Sequence, residues 1–258
     1  MTISAVISVK DQQIVWAGDA GDRSLLWGGF KRGGKIKLSN RLVSLVLYGS
    51  AAAGDRQEEF SDYNILCVLT RITPRELSDS EPIFRWWREH GSPSPLLLSQ
   101  QEMEAAAACF VIEFKDIQRQ HQLLAGKDVI STLAVDNRFY SAQVEHDLRA
   151  KLLRLRQKAS GMLSEPDLLR RLLLDSVSTF CVLFRHALIL HGSEGPAAKR
   201  AVIVAASQRF GFDPLPFEKL LAIRERKLKA REVEPAALLG PYLEAISVVI
   251  SAVHELVQ

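Results

Sequence analysis

Between residues 47 and 70 the chain reads LYGSAAAGDRQEEFSDYNILCVLT. Two pieces of this stretch carry residues that could do chemistry together. One apolar run ends in Gly49 and Ser50, and about a dozen residues later a second begins around Asp62 and Asn64. A strand that ends in Gly-Ser and leads into a helix presents free backbone N–H groups and a hydroxyl at a helix N-terminus, a natural seat for a phosphate. Gly49 would let the backbone approach the anion, and Ser50 would donate to it. Residues i and i+2 of a strand face the same way, about 6.5 Å apart, so Asp62 and Asn64 would project together and could ligate a divalent cation. A third acid is expected from a neighbouring strand. Glu113, in VIEFKD, interrupts an otherwise apolar run, where a charge is costly unless it has a partner. Asp116 is the reserve candidate, placed past the end of that run.

These groups need elements to position them. LVSLVLYG is a short β-branched and leucine run closed by Gly49 and predicts a buried strand; YNILCVLT predicts a second, closed by Thr73-Pro74. SAAAGDRQ between them could begin a helix. PRELSDSEPIFRWWREHG is mixed and helical in part. PSPLLLSQQEMEAAAACFVIEF predicts a proline-opened strand, a helix capped at Ser99, and a third buried strand ending at Phe114. From Asp136 the pattern turns helical. AQVEHDLRAKLLRLRQKA places Val144, Leu148, Leu152 and Leu155 on one face. Ser164 to Asp167 open a long helix through LLRRLLLDSVSTFCVLFRHALIL, Asp213-Pro214 another, and Pro235 a last one that Pro241 could kink. The expectation is an α+β protein: a poorly defined lead-in over 1–40, a small mixed-sheet domain over 41–135, and an all-α helical bundle over 136–258.

The stretch LYGSAAAGDRQEEFSDYNILCVL resembles the nucleotidyltransferase superfamily, whose members carry a Gly-Ser turn, a short helix and a strand with Asp-x-Asp. WWREHGSPSPLLLSQ and FVIEFKDIQRQHQLLAGKDVI further look like a branch of bacterial nucleotidyltransferase-domain proteins in which the metal strand tends to read Ser-Asp-x-Asn. The resemblance covers roughly residues 41 to 130; residues 140 to 258 are similar to the appended helical domain by texture alone. It implies that Gly49 and Ser50 hold triphosphate oxygens and that Asp62, Asn64 and Glu113 form the catalytic metal set for Mg2+ or Mn2+. The implied activity is transfer of a nucleoside monophosphate from an NTP such as ATP to an unidentified small-molecule, protein or RNA acceptor. Two departures point to altered chemistry. Asn64 offers a carbonyl oxygen but no charge, and Ala53 stands where the family often has arginine. A fold retained for nucleotide sensing or partner binding, without catalysis, is the rival reading.

A third reading comes from RHALILH, where Arg185 and His191 match the spacing of HEPN-type ribonucleases. Six residues along a helix put the two side chains on different faces unless the helix ends before His191, and the plainer role of His191 is to meet the last carbonyls of the helix. GGFKRGGK, residues 28 to 35, has P-loop glycines and lysine but Ile36 in place of the magnesium hydroxyl, so it reads as a basic loop. Trp86 and Trp87, flanked by arginines, could stack a base or cover a core. His90, His121, His146 and His254 lack ligand spacing and read as surface or helix-end residues. RERKLKARE reads as a solvated helix face.

Composition sets the remaining bounds. Apolar residues make up 47% and charged residues 24% of 258, as in ordinary globular chains, and a net charge of +3 is too small to argue for nucleic acid or an anionic membrane. The three cysteines, Cys67, Cys109 and Cys181, sit in apolar runs without metal spacing and read as reduced buried thiols. No charged leader opens the chain, and the greasiest run is broken by Asp175, Arg185 and His186. The expectation is a cytoplasmic protein without a membrane partner, with a homodimer left open.

Overall fold

The structure, a computed structural model, describes residues 6–10, 13–17, 41–49, 52, 64–89 and 93–257. The chain divides into two compact units, Met1–Asp136 and Asn137–Gln258. It is an α+β protein, with the strands in the first unit and a run of helices in the second.

In the first unit, β1 (Val6–Lys10) and β2 (Gln13–Ala17) form an antiparallel hairpin. The lead-in is therefore not without structure, although the glycine-rich residues 18–40, with the P-loop-like stretch, lie outside the described residues. The main sheet has four strands in the order β5-β4-β3-β6. β3 (Leu42–Tyr48) pairs antiparallel with both β4 (Asn64–Leu69) and β6 (His121–Gly126). β5 (Leu96–Ser99) runs parallel to β4, and the crossover between them contains α1 (Pro74–Glu89). Alternation sorts the side chains to two faces. Leu45, Ile65, Cys67 and Leu69 pack with Trp87 of α1 on one; Val46, Leu66 and Val68 pack on the other with Met103 and Ala107 of α2 (Glu102–Cys109) and Phe114 and Ile117 of α3 (Val111–Arg119). Trp87 thus takes the core-covering role.

Local chemistry starts both helices that flank β5. Thr73-Pro74-Arg75-Glu76 is a capping box: the Thr73 hydroxyl and its N–H (2.9 Å) both donate to the Glu76 carboxylate. Arg41, at the start of β3, reaches in with Nη1 donating to Glu76 (2.6 Å) and Nη2 to Asp79 (2.6 Å). Glu76 is fully buried, and the Thr73 hydroxyl, then Arg41, hold its carboxyl down at about 2. The predicted Ser99–Glu102 bonds are present just ahead of α2, whose N-cap is Gln101: Ser99 N–H donates to Glu102 (2.7 Å) and Glu102 N–H to Ser99 Oγ (3.3 Å).

One expectation is overturned here. Residues 111–114 are not a third strand but the first turn of α3, so Glu113 and Asp116 are helical. The run FVIEF fits either period, and helical packing prevails because Val111, Phe114 and Ile117, three apart, can be buried together. The third neighbour of the sheet is β6 instead, whose end needs a glycine: Gly126 has φ +83°, and a Cβ there would lie 2.2 Å from the Val43 carbonyl oxygen.

The second unit consists of α4 (Tyr140–Ser160), α5 (Pro166–Leu190), α6 (Lys199–Phe210), α7 (Leu215–Arg224) and α8 (Pro235–His254), with a 3-10 turn at Ala230–Glu232. Val144, Leu148, Leu152 and Leu155 are all buried, as their spacing requires. The core is aromatic, with Phe217 4.6 Å from Tyr242 and 5.1 Å from Phe184 between ring centroids. α8 runs unbroken through Pro241, and α5 opens on Pro166 with no side-chain cap. α6 has no counterpart in the sequence reading. RERKLKARE is not a helix face: α7 ends at Arg224, which is buried and donates to the Leu174 carbonyl (2.8 Å). By length and composition alone α5 and α8 are long and apolar enough to cross a membrane, and both bury a face inside the unit. Cys67 and Cys181 are buried, with burial pushing both thiols up to about 12, whereas Cys109 is exposed.

Gly126→Ala should cost about 2 kcal/mol or more, because its Cβ meets backbone rather than a movable side chain, as read from the urea midpoint. The Glu76 carboxyl, held below its usual value, contributes stability that is present above pH about 4.5 and lost as pH falls towards about 2. Glu76→Gln should lower stability at neutral pH and flatten that acid limb in thermal melts.

Candidate functional site

The register of the sheet decides which side chains meet at the end of β3. Tyr48 lies directly opposite Asn64 on β4 and opposite His121 on β6. Residues opposite one another share a face, so Asn64, Tyr48 and His121 form a row across three adjacent strands, on the side covered by α2 and α3. All three are half-buried. Gly49 follows Tyr48 with φ +76°, and its carbonyl accepts from Ala52 N–H (3.1 Å), which turns the chain away from the strand. A Cβ at Gly49 would sit 3.1 Å from Asn64 Nδ2, so the glycine is what lets the amide lie against the turn.

The sequence-predicted residues divide accordingly. Gly49 and Asn64 come together; Ser50 and Asp62 lie outside the described residues, as does Ala53. Glu113 approaches from α3 rather than from a strand. It is exposed, and its charge reaches the row: burial first, then the Glu113 carboxylate, raises the Tyr48 phenol above its ordinary range.

His121 was not singled out by its spacing; it is largely buried and directly follows the C-cap of α3, so the helix-end reading holds. It is the first residue of β6, with a side chain 12% exposed. Its Nδ1 lies 2.9 Å from the carbonyl oxygen of Ile117, one of the orphan acceptors at the end of α3. Because a carbonyl can only accept, Nδ1 carries the hydrogen. Nε2 faces Asp128 Oδ1 at 3.5 Å, a long contact that adds to what holds the Asp128 carboxyl down. The Asp128 carboxylate also accepts from Ser131 Oγ (2.6 Å) and the N–H groups of Ser131 and Ile130 (3.0 Å each), and Ser131 above all holds its carboxyl down at about 2. The signal in HQLLAG was slight: a six-residue strand that opens on a histidine and closes on an obligate glycine.

Among the described residues no three His, Cys, Asp or Glu side chains converge, and the strand beside β3 offers His121 and Gln122 where an acid was expected. Asn64 contributes at most one neutral oxygen, and Glu113 one carboxylate from a helix. A magnesium ion asks for near-octahedral oxygen ligation anchored on carboxylates, and of the residues that the resemblance assigns to it only Asn64 and Glu113 fall among the described residues.

In the helical unit, His191 follows the last residue of α5, and its Nδ1 lies 2.9 Å from the Ala187 carbonyl oxygen, the plain capping role. Its ring packs edge-on against Phe210 at 5.0 Å. It lines an open groove of about 710 Å³ with Arg209 and the outer face of α8. Arg185 is not part of that lining and packs beside Gly195, where a Cβ would come within 3.0 Å of its Cγ.

No family model matches this chain, and no curated protein matches it. Glu113→Gln should lower the Tyr48 pKa towards that of an ordinary phenol, seen in ultraviolet titration as the difference between the protein and its Tyr48→Phe variant. An unmoved Tyr48 titration would place Glu113 away from the row.

Proposed function

We propose that the first unit binds a nucleoside triphosphate at the end of β3 and the start of β4 and transfers its NMP group to an acceptor hydroxyl. The observation that supports this is the Tyr48–Asn64 register, which sets the Gly49 turn and the start of the second strand side by side at one end of the sheet. That is the juxtaposition the nucleotidyltransferase resemblance requires of Gly49, Ser50, Asp62 and Asn64. In such a transfer the acceptor oxygen bonds to the α-phosphorus as the bond to pyrophosphate breaks, and the acceptor proton leaves to a base. The protein's share is to align the two groups and neutralise charge. Asp62, Asn64 and Glu113 are the residues the resemblance assigns to Mg2+ or Mn2+.

A second reading, nucleotide binding without transfer, is favoured by one feature: the strand position where an acid was expected carries His121. The ribonuclease reading gains no such support, since Arg185 and His191 do not share the groove.

Incubation with α-labelled ATP, with Mg2+ or Mn2+ and candidate acceptors, separates the two readings. Labelled product or released pyrophosphate marks transfer; a rise in Tm with ATP and no turnover marks binding alone. Neither result with any NTP would overturn both. Asn64→Asp should raise Mn2+ affinity about tenfold if residue 64 ligates metal, because it adds a charged oxygen; an unchanged affinity removes it from any metal set.

A further inference from the structure

We infer that the C-terminal half of α4 is a docking surface for an anionic lipid bilayer, where Lys151, Arg154, Arg156 and Lys158 meet headgroups and Leu153 enters between them. The inference concerns the second unit and stands apart from the nucleotide reading of the first.

Residues 149–164 carry five cations, Arg149, Lys151, Arg154, Arg156 and Lys158, and no acid. The net charge of +3 over the whole chain conceals this local excess. Arg149 is spent on Glu145, with Nε 2.7 Å from the carboxylate. The other four are exposed, and none of them joins an ion pair among the described residues. Arg156 makes one long hydrogen bond, to Ser247 Oγ at 3.4 Å. Lys151, Arg154 and Lys158 stand at i, i+3 and i+7 and so form one stripe. Like charges at these spacings weaken a helix, and the nearest acid on that flank, Asp147, sits 3.1 Å from His146 Nδ1. The helix dipole accounts for Lys158, in the last turn, but not for Lys151 and Arg154, which lie further back. A stripe that costs the helix stability and finds no carboxylate among the described residues points to an anion from outside.

The apolar side chains beside these charges identify the anion. Leu153 is 64% exposed and, at about 100° per residue, falls on the solvent side between Arg154 and Arg156. Leu163, in the loop that closes α4, is 58% exposed. Nucleic-acid faces commonly add aromatic rings that stack bases, and the chain has no Phe, Tyr or Trp between Tyr140 and Phe180. Aliphatic side chains set among lysine and arginine suit the headgroup boundary of a bilayer, where the leucines leave water and the cations stay with the phosphates. Leu148, Leu152 and Leu155 remain buried in the unit, so the contact is peripheral and needs no unfolding.

Sedimentation of the full chain with lipid vesicles tests this. The wild type should bind vesicles of phosphatidylcholine mixed with phosphatidylserine, less as salt rises, and should not bind phosphatidylcholine alone. Replacing Lys151, Arg154 and Lys158 together by Gln should lower partitioning about a hundredfold, roughly fivefold for each cation, with no loss of Tm. Leu153→Ser should lower it severalfold. No binding to the mixed vesicles, equal binding to both kinds, or binding unmoved by either variant would overturn the inference. Salt-sensitive binding of duplex RNA without binding of vesicles would assign the stripe to nucleic acid and overturn it as well. All of these outcomes leave ATP binding by the first unit untouched.

Discussion

Everything at the candidate site depends on how β3 is hydrogen-bonded. It is the one strand of the main sheet with antiparallel neighbours on both sides, and its register fixes Tyr48 between Asn64 and His121. Side chains alternate with period two, so a slip of one residue would send the row to the opposite face and bring Leu47, Ile65 and Gln122 in its place. Such a slip is resisted by the cores. Leu45, Ile65 and Cys67 must face α1, and Val46, Leu66 and Val68 must face α2 and α3. The polar row is held in position by burial of the apolar residues behind it. The irregularities in both ladders, at Leu42/Ser44 and at Leu45/Val46, fall before Val46, so the last residues pair in phase.

Much of this was legible in the sequence, and the failures have identifiable causes. β3 and β4 were readable because each is a continuous apolar run closed by turn chemistry. The Ser99 cap was readable because Ser-x-x-Glu is a local hydrogen-bonding unit, and so was α4 from its Val144–Leu155 stripe. The third strand was misplaced because FVIEF is too short to tell one period from the other, while the true strand, HQLLAG, is polar at its start and has only two leucines. α6 was missed because KRAVIVAASQRF follows a glycine- and proline-bearing stretch and has no side-chain cap to announce it. RERKLKARE misled because charge suggested solvent, whereas Arg224 snorkels its guanidinium to the Leu174 carbonyl from inside the unit.

Pairing between distant segments was the hardest part to anticipate. Gly49 and Asn64 could be expected to meet, since both flank one connection. His121 could not, because its partner Tyr48 is far away in sequence and nothing in HQLLAG states which strand it joins. The glycine at its far end was the one available clue. Gly126 is required where the backbone passes against Val43, and such a position marks a strand edge closely packed on another.

The anchoring of α1 has a further consequence for how the first unit assembles. The Thr73–Glu76 hydrogen bonds close over three residues, whereas the Arg41–Glu76 bond joins positions 35 apart. Short-range contacts close at small entropic cost and long-range ones do not. The helix therefore carries its own starting device in local sequence, and the Arg41 bond adds a long-range closure that ties β3 to the same carboxylate. The arginine acts as a latch between two elements that the chain otherwise separates.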